Sequence, residues 1–194
     1  MSKFISALLL LSGLALSGCA GFRTVQADVQ TFSDISALPT SAGFKFERLP
    51  SQAEPNQHQA EAEAAAEAAL TAVGLQRNDK LARYAVQIGV RVQRADLPDW
   101  PDAWQYWGFG GPHFWRVTPW PSPWVHNTPW FEREVSLTLR DLQTGQIVYE
   151  THAHQGGVSS DHKALIPALF QAALSGFPAS QPSLHSVSVQ LATP

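Results

Sequence analysis

Residues 84–93 read Tyr84-Ala85-Val86-Gln87-Ile88-Gly89-Val90-Arg91-Val92-Gln93, and this alternating stretch decides the fold. Tyrosine and β-branched residues occupy every second position, while small or polar residues lie between them. Successive side chains of a strand point to opposite faces of a sheet. The pattern therefore predicts a half-buried strand over residues 83–94, with Tyr84, Val86, Ile88, Val90 and Val92 directed into the core.

Shorter alternations on both sides of this stretch predict further strands. The apolar positions that define them are Val25, Ala27, Val29 and Thr31, then Phe44 and Phe46, then Val135, Leu137 and Leu139, and finally Val187, Val189 and Leu191. Residues 141–145 read Asp-Leu-Gln-Thr-Gly, which is typical of a hairpin loop in which Gly145 supplies a positive φ. Residues 146–154 then form the return strand.

Two segments carry apolar residues at helical spacing. The first is residues 57–73, whose stripe consists of Ala62, Ala66, Ala69, Leu70 and Val73 and ends before Gly74. The second stripe consists of Leu165, Leu169, Phe170, Ala173 and Leu174, between the capping residues Ser159, Ser160 and Asp161 and the stop at Gly176. Pro167 lies inside the second pattern, so that helix either starts near residue 164 or is kinked there.

The order of these elements, β-β-α-β-β-β-α-β, predicts the fold class. One-sided strands and amphipathic helices indicate an α+β fold of two layers. We expect a mostly antiparallel or mixed β-sheet with two helices packed on one face.

Composition excludes several classes of function. The 194 residues carry 13 Lys+Arg against 16 Asp+Glu, a formal net charge of −3, so there is no basic surface for nucleic acid. A single Cys excludes an internal disulfide framework and a Cys-based zinc finger. The sequence contains no Gly-rich phosphate loop, paired-carboxylate motif or dinucleotide fingerprint. We therefore expect a protein that is not an enzyme and needs no cofactor.

The N-terminus predicts a lipid-anchored export product. Lys3 precedes an uncharged stretch over residues 4–16, which is too short to span a bilayer and matches the apolar region of a secretory signal. The stretch ends in Leu16-Ser17-Gly18-Cys19, which resembles the lipobox of bacterial lipoproteins. The alternative is an ordinary signal peptide, cut after a small residue, in which Cys19 is incidental.

The lipobox resemblance implies how the chain is processed and where it resides. Residues 1–18 would be a signal peptide, Cys19 the acylated residue, residues 19–23 a short tether and residues 24–191 a single α+β domain. Two or more acyl chains anchor a protein stably, whereas one chain alone is marginal. Residue 20 is Ala and not Asp, which by resemblance to the enterobacterial sorting rule implies the periplasmic side of the outer membrane.

Residues 96–130 form an insertion rich in Trp and Pro. Every Trp of the chain lies there: Trp100, Trp104, Trp107, Trp115, Trp120, Trp124 and Trp130. A connection of this length without helical or alternating pattern is uncommon in a compact domain unless it has a function. Trp can stack on sugar rings, partition to a membrane interface or dock on a partner protein. A structural alternative is that several Trp cover the otherwise open face of the sheet.

Histidines suggest a metal site, for which His152 and His154 are weak candidates. The residues considered are His113, His126, His152, His154 and His162. A His-x-His pair on a strand places both rings on one face, which is compatible with zinc or copper. If Asp141 lies opposite Ile147 across the hairpin, however, His152 and His154 fall on the polar, solvated face. That pairing places Val135 opposite Ala153, Leu137 opposite Thr151, Leu139 opposite Tyr149, and the two histidines opposite Ser136 and Glu134.

A resemblance to a known family rests on structural motifs. Residues 44–52 read Phe-Lys-Phe-Glu-Arg-Leu-Pro-Ser-Gln and follow the strand from Val25 to Val29. Together with Asp141–Gly145 and Gly176-Phe177-Pro178, they resemble proteobacterial lipoproteins of the domain-of-unknown-function 4136 type, over residues 24–191. The resemblance implies an envelope lipoprotein and brings no catalytic residue. Relatives tend to be Gly-rich in the middle segment, where this chain is rich in Trp and Pro.

Three functional hypotheses follow from these observations. The first is a non-enzymatic lipoprotein, held in the outer membrane through its acyl chains, that acts as a binding or assembly factor for an envelope protein. The second is a module that binds peptidoglycan or lipopolysaccharide through the Trp-rich loop. The third is a metal-dependent hydrolase that uses the histidines. Ser159 to His162 lack the glycine pattern of a nucleophile elbow, so we interpret them as a helix cap.

Overall fold

The computed structural model describes residues 23–35, 42–52, 56–96 and 129–191. Their elements are β1 (Thr24–Ser33), β2 (Gly43–Phe46), a 3-10 turn (Pro50–Gln52), α1 (Gln57–Ala72), β3 (Gln76–Arg77), β4 (Tyr84–Asp96), β5 (Pro129–Asp141), β6 (Ile147–Gly157), α2 (His162–Ala173) and β7 (Gln181–Gln190). Several candidates lie outside the described residues: Leu16, Ser17, Gly18, Cys19, Trp100, Trp104, Trp107, Trp115, Trp120, Trp124, His113 and His126.

The strands form one mixed sheet in the order β3-β2-β4-β5-β6-β1-β7. β2 runs parallel to β3 and β4, and the other neighbours are antiparallel. Both helices pack on one face of this sheet and against each other. The two-layer α+β prediction is confirmed. The two-residue strand β3 and the 3-10 turn at Pro50–Gln52 were not predicted.

The core lies between the helices and the sheet. Val135, Leu137 and Leu139 of β5 are fully buried, as the alternation predicts. The stripe of α1 is mostly alanine, and buried Ala66 and Ala69 let this helix lie close to the strands. Small side chains at such a contact leave few voids, which is the condition for native packing density.

The outer part of β4 does not follow the prediction. Val90 and Val92 are 40% and 41% exposed, although they share the alternation of Val86, which is fully buried. A period of two assigns each residue to a face of the sheet, but it does not say how far the covering layer extends. The described helices do not cover this part of the face, so Val90 and Val92 are not core residues.

Both helices begin and end near the predicted residues. Asn56 caps α1 by accepting a hydrogen bond from the His58 backbone N–H at 2.8 Å, and Gly74 follows the helix with φ of +94°. Asp161 caps α2 by accepting one from the Ala164 backbone N–H at 3.2 Å. α2 therefore starts at His162, not near residue 164, and includes Pro167. In the described part of the chain, neither helix has the length and apolar character needed to cross a bilayer.

The register of the β5–β6 hairpin is confirmed along most of its length. Val135 pairs with Ala153, Leu137 with Thr151, Leu139 with Tyr149, Ser136 with His152 and Glu134 with His154. The expected pairing of Asp141 with Ile147 is wrong, because the register shifts after Leu139 and Arg140 lies opposite Ile147. The loop closes more tightly than the pairing assumed, since the Asp141 backbone N–H donates to the Gln146 carbonyl at 2.9 Å.

Candidate functional site

A cavity of about 200 Å³ lies at one end of the sheet. We call this the distal end, where β4 ends at Asp96 and β5 begins at Pro129. We call the cavity the distal pocket, and its lining residues are Arg91, Gln93, Glu132, Arg133, Glu134 and His154. It is therefore built by three adjacent strands, with β5 in the middle.

Strand pairing explains why these polar residues meet. Arg91 lies opposite Glu134, and Gln93 lies opposite Glu132, in the β4–β5 ladder. On the other side of β5, Glu134 lies opposite His154. Side chains directly opposite each other on one face are the closest neighbours in a sheet. These five side chains therefore share one face of the sheet. It is the face opposite the helices, and we call it the open face.

Trp130 makes close contacts with Glu132 and Gly156 at this site. Trp130 Nε1 donates a hydrogen bond to Glu132 Oε1 at 2.5 Å. Trp130 also lies directly on the backbone of Gly156, where an added Cβ would come within 2.8 Å of Trp130 Cζ2. Glycine at this position therefore makes room for the indole on the open face. This is the one tryptophan of the Trp/Pro insertion that the structure describes.

Glu132 keeps one acceptor without a hydrogen bond. Its Oε2 atom is buried and has no hydrogen-bond partner among the described residues. Nε2 of His154 approaches it to 2.7 Å, which is an ion-pair distance, but not in the orientation of a hydrogen bond. A buried acceptor without a donor is costly, and such groups often meet a ligand or an ordered water.

His152 is held between two carboxylates on the same face. Its Nε2 lies 2.9 Å from Glu150 Oε1, and its Nδ1 lies 3.4 Å from Glu134 Oε1. His152 and His154 therefore share a face, as predicted, and each contacts carboxylates across or along the strands. Among the described residues there is no group of three or more His, Cys, Asp or Glu placed to hold a metal ion.

Arg133 also lines the distal pocket and was missed by the sequence analysis. It shares the buried face of Val135 and is fully buried, with no carboxylate partner among the hydrogen bonds described for it. Its guanidinium donates to His162 Nδ1 at 3.1 Å, to Gln155 Oε1 at 2.9 Å, and to the carbonyls of Phe131 and Ser159. Burial lowers the pKa of Arg133. An arginine at a core-facing position of an alternating strand was the available signal.

This arrangement lowers the pKa of His162. Burial lowers its pKa first, and the nearby Arg133 cation lowers it further, while Asp161 acts in the opposite direction. Because Nδ1 accepts the Arg133 hydrogen bond, protonation of His162 would remove an acceptor and place two cations together. The ring of His162 also packs edge-on against Phe131, with centroids 5.4 Å apart.

We expect the free energy of unfolding to decrease as pH falls below about 6.5, the ordinary pKa of histidine. A pKa lowered in the folded state means that the unfolded chain binds more protons in this range, so acid favours unfolding. Urea unfolding at a series of pH values measures this. His162→Gln, which retains an acceptor but does not titrate, should reduce the slope. An unchanged slope in His162→Gln would assign the pH dependence to other groups.

The residues at the start of α2 have structural contacts. Ser159 Oγ accepts a hydrogen bond from the Asp161 backbone N–H at 3.2 Å, and Asp161 caps the helix. The His162 ring accepts a hydrogen bond from Arg133, and the His162 backbone N–H donates to the Ser160 carbonyl at 2.9 Å. The interpretation of this segment as a helix cap is confirmed.

Comparisons with known proteins give a family and two distant structural likenesses. The family model described as "Domain of unknown function (DUF4136)" matches residues 25–179. A PelC dodecamer structure from Paraburkholderia phytofirmans is similar at 15% identity and a TM-score of 0.48, covering 80% of this chain and 99% of that chain. A PDZ domain protein from Parabacteroides distasonis is similar at 12% identity and a TM-score of 0.48, covering 92% of this chain and 42% of that chain. No curated protein matches.

Proposed function

Since this chain belongs to the DUF4136 family, whose function is unknown, we propose its role from its own residues. We propose a non-enzymatic lipoprotein, anchored by acyl chains at Cys19 in the outer membrane. It would act on the periplasmic side as a binding or assembly factor of the cell envelope. Residues 97–128 would carry the interaction, and the sheet would hold them.

The observation that carries this proposal is the pairing at the distal end. The β4–β5 ladder is continuous from Tyr84 opposite Asp141 to Asp96 opposite Pro129. Asp96 and Pro129, the residues that flank residues 97–128, therefore face each other. A segment inserted between two facing residues can contact a partner without contributing to the pairing of the strands. Six of the seven Trp of the chain lie in this inserted segment, and aromatic residues are enriched at protein interfaces.

The anchor is supported by the sequence and by where the tether meets the domain. Cys19 is the one cysteine and lies at the lipobox position. Four residues separate it from Thr24, the first residue of β1. Asp28 of β1 pairs with His154 of β6, which pairs with Glu134 of β5, so β1 begins at the same end of the sheet as Asp96 and Pro129. Acylation at Cys19 would therefore hold this end of the domain, which bears the inserted segment, close to the membrane surface.

We expect replacement of residues 97–128 by a two-residue Asn-Gly turn to leave the free energy of unfolding within about 1 kcal/mol of wild type. Asn-Gly suits a two-residue hairpin between facing strands, and loop closure costs little more for a long loop than for a short one. Chemical denaturation of both chains measures this. Proteins captured by a photoreactive residue at Trp107 or Trp120 of the intact chain should be absent when that chain carries Trp104→Ser and Trp124→Ser.

The structural alternative makes the opposite prediction for stability. If the tryptophans cover the sheet, each truncation removes a large buried side chain, and the free energy of unfolding falls by several kcal/mol in sum. A stable deletion variant that still complements a null strain in every assay would remove the interaction role from the segment.

The distal pocket favours a second candidate, glycan binding. Arg91 and Gln93 offer donors, Glu132 and Glu134 offer acceptors, and Trp130 adds an aromatic surface at the same end of the sheet. Sugar hydroxyls donate and accept hydrogen bonds, and Glu132 Oε2, which accepts no hydrogen bond among the described residues, is an acceptor of that kind. Retention on peptidoglycan, compared between wild type and Glu132→Gln, distinguishes this candidate from a protein-binding role, with Gln87→Ala as the open-face control.

A further inference from the structure

β7 forms one edge of the sheet along ten residues. β1 pairs with its inner side, and within residues 23–35, 42–52, 56–96 and 129–191 no strand pairs with its outer side. The opposite edge is the two-residue strand β3. Residues 87–96 of β4 also lack a described strand partner on the side of β2, which pairs only with residues 84–86, but that stretch carries Arg91, Arg94 and Asp96. β7 is thus the long described edge without charged residues.

The direction of its backbone groups follows from the pairing with β1. The Leu191 backbone N–H donates to the Arg23 carbonyl at 2.7 Å, so Leu191 directs its backbone groups towards β1. In an antiparallel ladder this direction alternates from one residue to the next. The N–H and C=O groups of Ser186, Ser188 and Gln190 therefore point outward, away from β1.

From Ser186 to Gln190, this edge lacks the features that usually prevent strands from pairing. Natural edge strands are guarded by charged side chains, bulges or proline, because an open edge is a template for another strand. β7 reads Gln-Pro-Ser-Leu-His-Ser-Val-Ser-Val-Gln, without Asp, Glu, Lys or Arg. Pro182 guards the start of the strand, and the register with β1 shifts near there. The stretch from Ser186 to Gln190 is unguarded.

We propose that the outer edge of β7 pairs antiparallel with β7 of a second copy of this chain, about a two-fold axis at Ser188. In this register Ser188 lies opposite the partner's Ser188, and Ser186 lies opposite the partner's Gln190. These are the residues whose backbone groups point outward, so both strands fill their hydrogen bonds. The two sheets join into one, with the helices of both copies on the same side.

The pattern of side chains supports a second copy as the occupant. Val187 and Val189 share the helix side and are half-buried, whereas Ser186, Ser188 and Gln190 are exposed on the open face. The proposed register sets Val187 opposite the partner's Val189, and the symmetry repeats this contact. In an isologous interface, residues near the two-fold axis lie close to the same residues of the partner, so a charged strand would bring like charges together. β7 has no Asp, Glu, Lys or Arg and therefore avoids this repulsion.

Neighbouring registers fit less well. A shift by two residues in one direction places Val189 opposite the partner's His185. A shift by two residues in the other direction leaves only three residues of each β7 paired with β7 of the other copy. The contact is small in either case, so we expect a dimer that forms in a concentration-dependent manner.

Cysteine cross-linking in cells that produce the full chain tests the register. Ser188→Cys should form a disulfide-linked dimer under mild oxidation, because facing residues of a hydrogen-bonded pair have Cα atoms about 5.5 Å apart. Ser186→Cys is the matched control. Its two copies would be displaced by four residues, about 13 Å, and should not cross-link. Coexpressed Ser186→Cys and Gln190→Cys chains should cross-link to each other. The wild-type chain gives the background of disulfide cross-linking through Cys19.

A proline substitution tests the hydrogen bonds themselves. Ser188→Pro removes an N–H that β1 does not use, so the monomer should fold as wild type by circular dichroism. The dimer loses both N–H donors at its axis, and its dissociation constant should rise by at least about tenfold in sedimentation velocity of the mature chain. Ser188→Thr, which keeps the N–H, should dimerise as wild type.

Three results would overturn the proposal. They are equal cross-linking of Ser186→Cys and Ser188→Cys, cross-linking of the Ser188→Cys variant to a different protein in place of a second copy, and unchanged dimerisation of Ser188→Pro. None of these results depends on the role of residues 97–128.

Discussion

Val86→Asp is expected to unfold the chain, whereas Val90→Asp is expected to be tolerated. Both residues lie on the same face of β4, four positions apart, but Val86 is fully buried and Val90 is 40% exposed. At Val86 the substitution places a carboxylate in the core opposite Leu139, where no cation is paired with it. We expect a loss of at least about 4 kcal/mol there and about 1 kcal/mol or less at Val90.

Urea unfolding of the two variants measures this difference, with Val86→Ala as a further comparison. Val86→Ala removes two methyl groups without adding a charge, so it should fall between the two aspartate variants. Equal destabilisation by Val86→Asp and Val90→Asp would mean that the outer part of β4 is covered in the folded protein. Equal tolerance would mean that the helices do not form the core described above.

Cys19→Ser is expected to abolish acylation completely. The lipid is carried on a thiol in the proposed chemistry, and an alcohol does not replace it. Without its acyl chains the domain has no apolar anchor, because tight membrane binding requires two such signals. The chain should then leave the outer-membrane fraction while keeping the stability of the wild-type domain.

Metabolic labelling with palmitate, followed by membrane fractionation, measures both effects. Ser17→Ala is the matched control, since it exchanges one small residue for another beside the same cysteine and should leave labelling intact. Continued palmitate labelling of Cys19→Ser would contradict the lipoprotein proposal. Loss of labelling in both variants would show that lipobox processing before Cys19 requires more than a small residue at position 17.

The parts of the fold that the sequence predicts are those with a local cause. The β5–β6 register follows from one short loop and two alternating strands, so a single assumption places Leu137 opposite Thr151. The caps at Asn56 and Asp161 act within three residues of the helix start. Even so, the tight loop at Asp141 moved the closing pair by one residue.

The parts that the sequence does not predict depend on distant residues. Val90 repeats the pattern of Val86, and only the extent of the helical layer separates their exposures. Arg133 is buried because acceptors from β6 and the start of α2 meet at its guanidinium. β3 exists because β2 lies beside it, not because two residues form a pattern.

The candidate site also has one part that the sequence predicts from local spacing and another that depends on distant residues. His152 and His154 were found from their spacing, because residues two positions apart on a strand share a face. The contact of Trp130 with Glu132 and Gly156 was not found, because it needs the side-by-side placement of β5 and β6 at the distal end. The cavity is also lined by β4. Residues 97–128 separate β4 from β5 in the sequence, so no local pattern predicts the register between these two strands.

The facing pair of Asp96 and Pro129 separates two kinds of evolutionary change. If residues 97–128 carry the interaction as proposed, mutations between these two residues would change partner binding, while mutations at buried positions of the sheet would change folding. Selection could then act on the two regions independently, and the inserted region could diverge or be replaced as one continuous piece. The same point offers a place for grafting a peptide or a small reporter domain onto this scaffold.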